Sequence, residues 1–223
     1  MKLIEHPDRE ALTLAVAQDI TSALGMALTA ADRAVLCLPG GSTPVPVFKA
    51  LSAAPLDWSR VVVVPGDERW VPSDHARSNA RLIRRNLIDE GAAGAELVEL
   101  YTEGLDPEAG AAAAAERVAD LLPLSVLLLG MGEDMHTASL FPGAEGLAAA
   151  LDSAAPPVLP IRAEGVDEAR VTLTLPALRS APEAMLMITG PEKRAALDRA
   201  AGLTPEEAPI SAFLKTLIVH YAD

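Results

Sequence analysis

The stretch SVLLLGMGEDMHTASLFPG, residues 125–143, passes from an unbroken aliphatic run into glycines, two acids and a histidine. A strand wet on one face alternates apolar and polar residues, whereas one with an unbroken apolar run is covered on both faces. Strands of that kind belong to parallel sheets flanked by helices. The loop that follows is too rich in chemistry for a plain reversal, and it raises the question of what His136 does.

Working outward, the same grammar recurs. Segments 33–38 (RAVLCL), 60–64 (RVVVV), 95–101 (AELVELY), 157–162, 170–175, 184–190 and 216–221 read as further strands. Between them, helical spacing covers Asp8 to about Ala31, with Leu12, Val16, Ile20 and Leu24 along one side. Helices also fit 44–53, where Pro44 suits the first turn, and 78–90, where Ser78 is placed as N-cap. The alanine-rich segment 106–122 and residues 191–202 complete the set. No solenoid repeat and no Pro/Gly/Ser linker divides the chain. The expected architecture is one α/β domain over residues 1–223, a three-layer α/β/α sandwich around a Rossmann-like, mostly parallel sheet.

Composition narrows the function. The net charge of −13 argues against nucleic acid or an acidic membrane as partner. No apolar run reaches the ~20 residues of a membrane span, and the charged start MKLIEHPDRE is not a signal peptide. The single cysteine, Cys37, lies in an apolar run and reads as a small buried hydrophobe. A cytoplasmic protein without disulfides is expected.

In open parallel sheets, ligands sit beyond the carboxyl ends of the strands. PGGSTP (39–44), PGDERW (65–70) and GMGEDMH (130–136) each follow a strand-like run, so they should meet at one edge. In the first, Gly40 and Gly41 let the backbone approach a ligand, and Ser42 and Thr43 add hydroxyls at a helix start, which suits an anion. An ordinary turn with a capping hydroxyl fits this loop equally well. The loop lacks the lysine and spacing of a nucleotide P-loop. The second segment leads into a charged loop whose Arg77, Arg81, Arg84 and Arg85 share a helix face; these read as surface pairing with no site role, unlike Arg69 near the strand end. His136 is a natural proton acceptor near neutral pH, and Asp134 is placed to hold its ring or stabilise its charged form. A metal set of Glu133, Asp134, His136 and Glu145 has no HxxxH, HExxH or cysteine pair behind it. Ser42 or Ser139 as nucleophile lacks a GxSxG elbow. Arg170 and Lys193 are further cations at element ends.

Taken in order, PGGSTP, GDERWVPSDHARSN (66–79), LGMGEDMHTASLFPG (129–143), RVTLTLP (170–176) and GPEKRAAL (190–197) resemble the family of 6-phosphogluconolactonases and glucosamine-6-phosphate deaminases, from about residue 33 onward. The resemblance implies hydrolysis of 6-phosphoglucono-1,5-lactone in the oxidative pentose phosphate pathway, with a small phosphorylated sugar lactone as the partner and no cofactor. It implies Gly41, Ser42, Thr43, Arg170 and Lys193 as phosphate ligands, Asp67 and Arg69 along the sugar, and His136 as the base beside Asp134. A monomer or weak homo-oligomer is expected. The deaminases carry an NEP-like acid after the histidine loop where this chain has SLFPG, which favours the lactonase. Amino-sugar-phosphate deamination and non-catalytic sugar-phosphate sensing are the alternatives. Two positions depart from the family pattern: Pro39, often serine, and Met135, usually glycine. A left-handed backbone at Met135 would cost ~1–2 kcal/mol.

Overall fold

The computed structural model describes all of residues 1–223. The chain opens with β1 (Lys2–Glu5), α1 (Arg9–Ala30), β2 (Ala34–Leu38), α2 (Val45–Ser52), β3 (Val61–Pro65) and β4 (Asp67–Arg69). It continues through α3 (Asn79–Ile83), β5 (Glu96–Leu97), α4 (Pro107–Ala119), β6 (Val126–Leu129) and α5 (Leu147–Leu151). The last third holds β7 (Val158–Ile161), β8 (Arg170–Leu173), α6 (Leu175–Arg179), β9 (Glu183–Thr189), α7 (Pro191–Ala200) and β10 (Ile218–Ala222).

Seven strands form one sheet in the order β1-β10-β9-β6-β2-β3-β5, every neighbouring pair parallel. Alternation along each strand divides the core in two. Leu36, Leu38, Val61, Val63, Val126 and Leu128 face α1 and α2, meeting Leu12, Val16, Ile20, Val47 and Phe48. Val35, Cys37, Val62, Val64, Leu127 and Leu129 face the other way, toward α4 and α7. These are the three expected layers. From β2 the chain builds outward to β3 and β5, then crosses back to place β6 on the other flank of β2. The β2/β6 boundary is therefore the topological switch point, where open α/β sheets leave a crevice.

Three expectations needed correction. The runs at 157–162 and 170–175 do form strands, but not in the parallel sheet: β7 and β8 pair antiparallel with each other, and β8 with β4, in a separate three-stranded sheet. Val158, Val171 and Leu173 of that sheet are buried in the same core as α4. The run AELVELY pairs only through Glu96 and Leu97 at the outer edge, where one neighbour alone holds the backbone. And α1, whose only charges are Arg9 and Glu10 in its first turn and Asp19 in its middle, is long and apolar enough by length and composition to cross a bilayer. Thr13, Gln18, Asp19, Thr21 and Ser22 interrupt it, so no unbroken apolar run marks it in the sequence. Its Leu12, Val16, Ile20 and Leu24 are fully buried in the core it shares with β2, β3 and β6.

Local chemistry sets the helix starts. Asp8 caps α1 through Oδ1, which accepts from Ala11 N–H at 2.8 Å, and Asp106 caps α4 through the same bond to Ala109 at 2.8 Å. Each cap is worth ~1 kcal/mol. Ser78 caps α3 through Oγ, accepting from Arg81 N–H at 3.1 Å, and the helix widens into a π turn over Arg84–Ile88.

Candidate active site

The loops after β2, β3 and β6 open on one cleft of ≈ 340 Å³ at the switch point. Gly41, Thr43, Asp67, Arg69, His136, Arg170 and Lys193 all line it. Ser42 and Asp134 do not: Ser42 borders a neighbouring recess with Arg9 and Thr189, and Asp134 reaches the cleft only through His136.

The first wall is the glycine loop. Gly41 has φ +89°, a conformation that suits glycine. A Cβ at Gly40 would overlap the Asn79 side chain, so the missing atom is what allows that contact. The N–H groups of Gly40, Gly41, Ser42 and Thr43 donate to no protein acceptor. Free donors just ahead of a helix make an anion cradle.

The second wall is cationic. In the antiparallel register Arg69 stands opposite Arg170, and neither guanidinium lies within 4.0 Å of a carboxylate oxygen. Both Nε atoms are buried without a partner, though Arg69 Nη1 donates to the Arg77 carbonyl at 2.6 Å. Burial first, and the charge of Arg69 second, push the Arg170 pKa down; Asp67 and Glu168 oppose them. Lys193, in the first turn of α7, has no acidic partner either. Asp67 is the one carboxylate lining the cleft. Its Oδ1 accepts from Asn79 Nδ2 at 3.1 Å and its Oδ2 from Ser139 Oγ at 2.5 Å. In a protein of net charge −13, this cleft concentrates unpaired positive charge.

The histidine loop supplies the third wall. Met135 N–H donates to the Gly132 carbonyl and Gly132 N–H to the His136 carbonyl, each at 3.0 Å. This turn carries Asp134 back to its neighbour but one, where Oδ1 lies 2.5 Å from His136 Nδ1. The hydrogen bond from His136 holds the Asp134 carboxyl below the usual carboxylate range, against the opposing effect of partial burial. With Nδ1 occupied as donor, the lone pair of neutral imidazole is on Nε2. Phe141 packs against the ring, with centroids 4.5 Å apart. A Cβ at Gly132 would overlap both the imidazole and Asp134 Oδ1, so the pair rests on a bare backbone. The Gly130 and Met131 N–H groups are left without a protein acceptor. Nowhere in the chain do three His, Cys, Asp or Glu side chains converge as metal ligands.

Met135, which stands where the family usually has glycine, has φ +68°, and Ala138 has φ +50°. Both carry left-handed strain and both pack against the core, but Met135 does so with a long side chain where Ala138 has only a methyl group. Ala138→Gly should therefore gain about 0.5–1 kcal/mol, the strain relieved less the added chain entropy. That corresponds to roughly 1–4 °C in melting temperature, while Met135→Gly should show no gain. A lower melting temperature for Ala138→Gly would contradict the strain account.

Several groups escaped sequence reasoning. Asn79 touches Asp67 and Gly40, yet in the sequence it only follows a capping serine. Glu68 anchors the cleft from behind, as does Ser139, which the sequence offered only as a nucleophile, and Val166 borders it from the β7–β8 loop. Arg77, set aside as a surface charge, pairs with Glu168 at 2.9 Å while its carbonyl holds Arg69.

A parallel sheet with an anion cradle, unpaired cations and a carboxylate-held histidine at its switch point defines an α/β protein built for a small anionic ligand. Residues 7–219 match the family described as glucosamine-6-phosphate isomerases/6-phosphogluconolactonase. The chain is 44% identical to the 6-phosphogluconolactonase of Rhizobium meliloti (strain 1021), over 96% of this chain and 93% of that protein. It is 42% identical to the 6-phosphogluconolactonase of Pseudomonas putida, over 96% and 89%. A crystal structure of a 6-phosphogluconolactonase from Shewanella baltica OS155 superposes with a TM-score of 0.96 at 33% identity, covering 100% of this chain and 98% of that one. The chain belongs to the glucosamine-6-phosphate isomerase/6-phosphogluconolactonase family.

Proposed function

We propose that this chain is a 6-phosphogluconolactonase, hydrolysing 6-phosphoglucono-1,5-lactone to 6-phosphogluconate in the oxidative branch of the pentose phosphate pathway, as a soluble cytoplasmic enzyme. Relatives of that name across nearly the whole chain support the reaction. The residue roles rest on one observation: His136, its Nδ1 held by Asp134, opens on the same cleft as cations that have no acidic partner.

The 6-phosphate sits in the cradle of N–H groups at Gly40–Thr43, with the Thr43 hydroxyl, Arg170 and Lys193 around it. Asp67 accepts from sugar hydroxyls and Arg69 lies along the ring. Nε2 of His136 takes a proton from water as its oxygen attacks C1. The resulting oxyanion meets the free N–H groups of Gly130 and Met131; Gly132, whose N–H is spent on His136, is not available. Collapse breaks the bond from C1 to the ring oxygen, which takes the proton back from the imidazolium. The products are a hydroxyl and a carboxylic acid that ionises at neutral pH.

The test is lactone hydrolysis corrected for spontaneous opening, in wild type and Gly132→Ala. The added methyl displaces the imidazole without removing it. We expect kcat to fall by roughly tenfold or more with KM little changed, because misplacement by about an ångström disrupts attack geometry. Normal kcat would mean that the ring position does not matter. Ammonia release from glucosamine 6-phosphate is expected to be absent; its appearance would replace the lactonase reading with the deaminase.

A further inference from the structure

Glu68 is completely buried and lies within 4.0 Å of no cation, yet it belongs to none of the steps above. It sits between Asp67 and Arg69 on β4, and alternation turns it away from the cleft those two line. Its Oε1 accepts from the N–H of Arg69 at 2.8 Å and of Asn79 at 2.7 Å. Its Oε2 accepts from Ala80 N–H at 2.8 Å and from Ser78 Oγ at 2.9 Å. A carboxylate without a counter-ion is among the costlier groups to bury, and burial pushes its pKa up despite these donors.

We propose that Glu68 is a positioning residue for substrate binding, its carboxylate locking β4 to the start of α3 so that Arg69, Asn79 and Asp67 present one fixed surface to the sugar phosphate. This rests on the cleft being the substrate site. The donors fall where a positioning role needs them. Two are the backbone N–H groups of Arg69 and Asn79, whose side chains line the cleft. Asn79 in turn donates from Nδ2 to both the backbone carbonyl and Oδ1 of Asp67, at 2.8 and 3.1 Å. Its other flank is pressed on Gly40, so the glycine loop shares the same anchor. An apolar residue at 68 would satisfy none of the N–H groups. A neutral amide would turn its own N–H₂ against at least one of them. Only an ionised carboxylate accepts from three backbone N–H groups and a hydroxyl at once.

Glu68→Gln keeps the size and removes the charge. Its KM for the lactone should rise roughly tenfold while kcat stays within about threefold, because the His136–Asp134 pair is on another loop. A lower melting temperature with KM within about twofold of wild type would reduce Glu68 to a structural role and overturn the proposal. Should Glu68→Gln not fold, Ser78→Ala leaves the carboxylate in place and withdraws one donor to it, together with the hydroxyl that caps α3. There KM should rise roughly threefold, and Ser78→Thr, which keeps the hydroxyl, should restore it. Unchanged KM in Ser78→Ala overturns the proposal too. His136→Ala assayed in parallel separates the two readings: normal turnover there removes the proposed base but leaves the KM result of Glu68→Gln interpretable, since that effect does not depend on which group activates water.

Discussion

His136→Ala should lower kcat for lactone hydrolysis by about 10²–10⁴, the range a positioned general base contributes. Asp67, the one carboxylate lining the cleft, is assigned to the sugar hydroxyls, and Asp134 does not line the cleft, so the base role falls to His136. KM should barely move, because the imidazole is on the β6 loop and the groups proposed to hold the phosphate lie after β2, on β8 and on α7. Correction for spontaneous opening is essential, since the lactone hydrolyses unaided and a weak variant could pass for an active one. Exogenous imidazole should recover part of the lost rate by filling the space beside Asp134 and Phe141. A variant with normal kcat would remove the base assignment outright.

Asp134 bears on the pH profile of the same experiment. Its pKa is lowered in the folded protein by the bond from His136. For an acid depressed on folding, the stabilisation is complete above its ordinary value of about 4 and is lost as pH falls through the lower folded value. The pair therefore survives mild acid, and no decline in rate near neutral pH is due to protonation of Asp134.

What was legible in the sequence follows the distance over which each feature is decided. VVVV at 61–64 and VLLL at 126–129 announce buried parallel strands, because covering both faces leaves no room for a polar position. The three chemically loaded loops could be placed at one edge by the same rule. β4 was hidden, since Asp-Glu-Arg reads as a solvated loop until β8, a hundred residues on, supplies its partner. The facing of Arg69 and Arg170 was hidden with it. The bond between Asp134 and His136 was legible from their spacing, and the left-handed backbone at Met135 from the glycine usual at that position in the family. Asn79 and Glu68 were missed because a helix start folding back on its own preceding loop leaves no periodic trace. α5 and α6 are only five residues each, too short to establish a helical period, and α6 continues a strand-like run through Pro176.

Arg170→Met should separate binding from stability. The protein maintains Arg170 at a cost: the guanidinium is buried, faces Arg69, and has its charged form disfavoured by both, which is why its pKa is lowered. A methionine of comparable length keeps the packing and abolishes the repulsion, so the ligand-free protein should melt no lower than wild type. Substrate loses a charge-assisted contact with its phosphate, usually worth about 1.5–3 kcal/mol, so KM should rise roughly 10–100-fold with kcat nearly unchanged. Lys193→Ala should act in the same direction but less, because a lysine ammonium is a point charge where arginine offers a fork. Inorganic phosphate supplies a readout independent of turnover. By binding the folded state alone it should raise the melting temperature of wild type, and this shift should vanish in the double variant. KM unaltered in both single variants would mean that the phosphate lies elsewhere, and the two arginines would then face each other without a ligand to justify the repulsion.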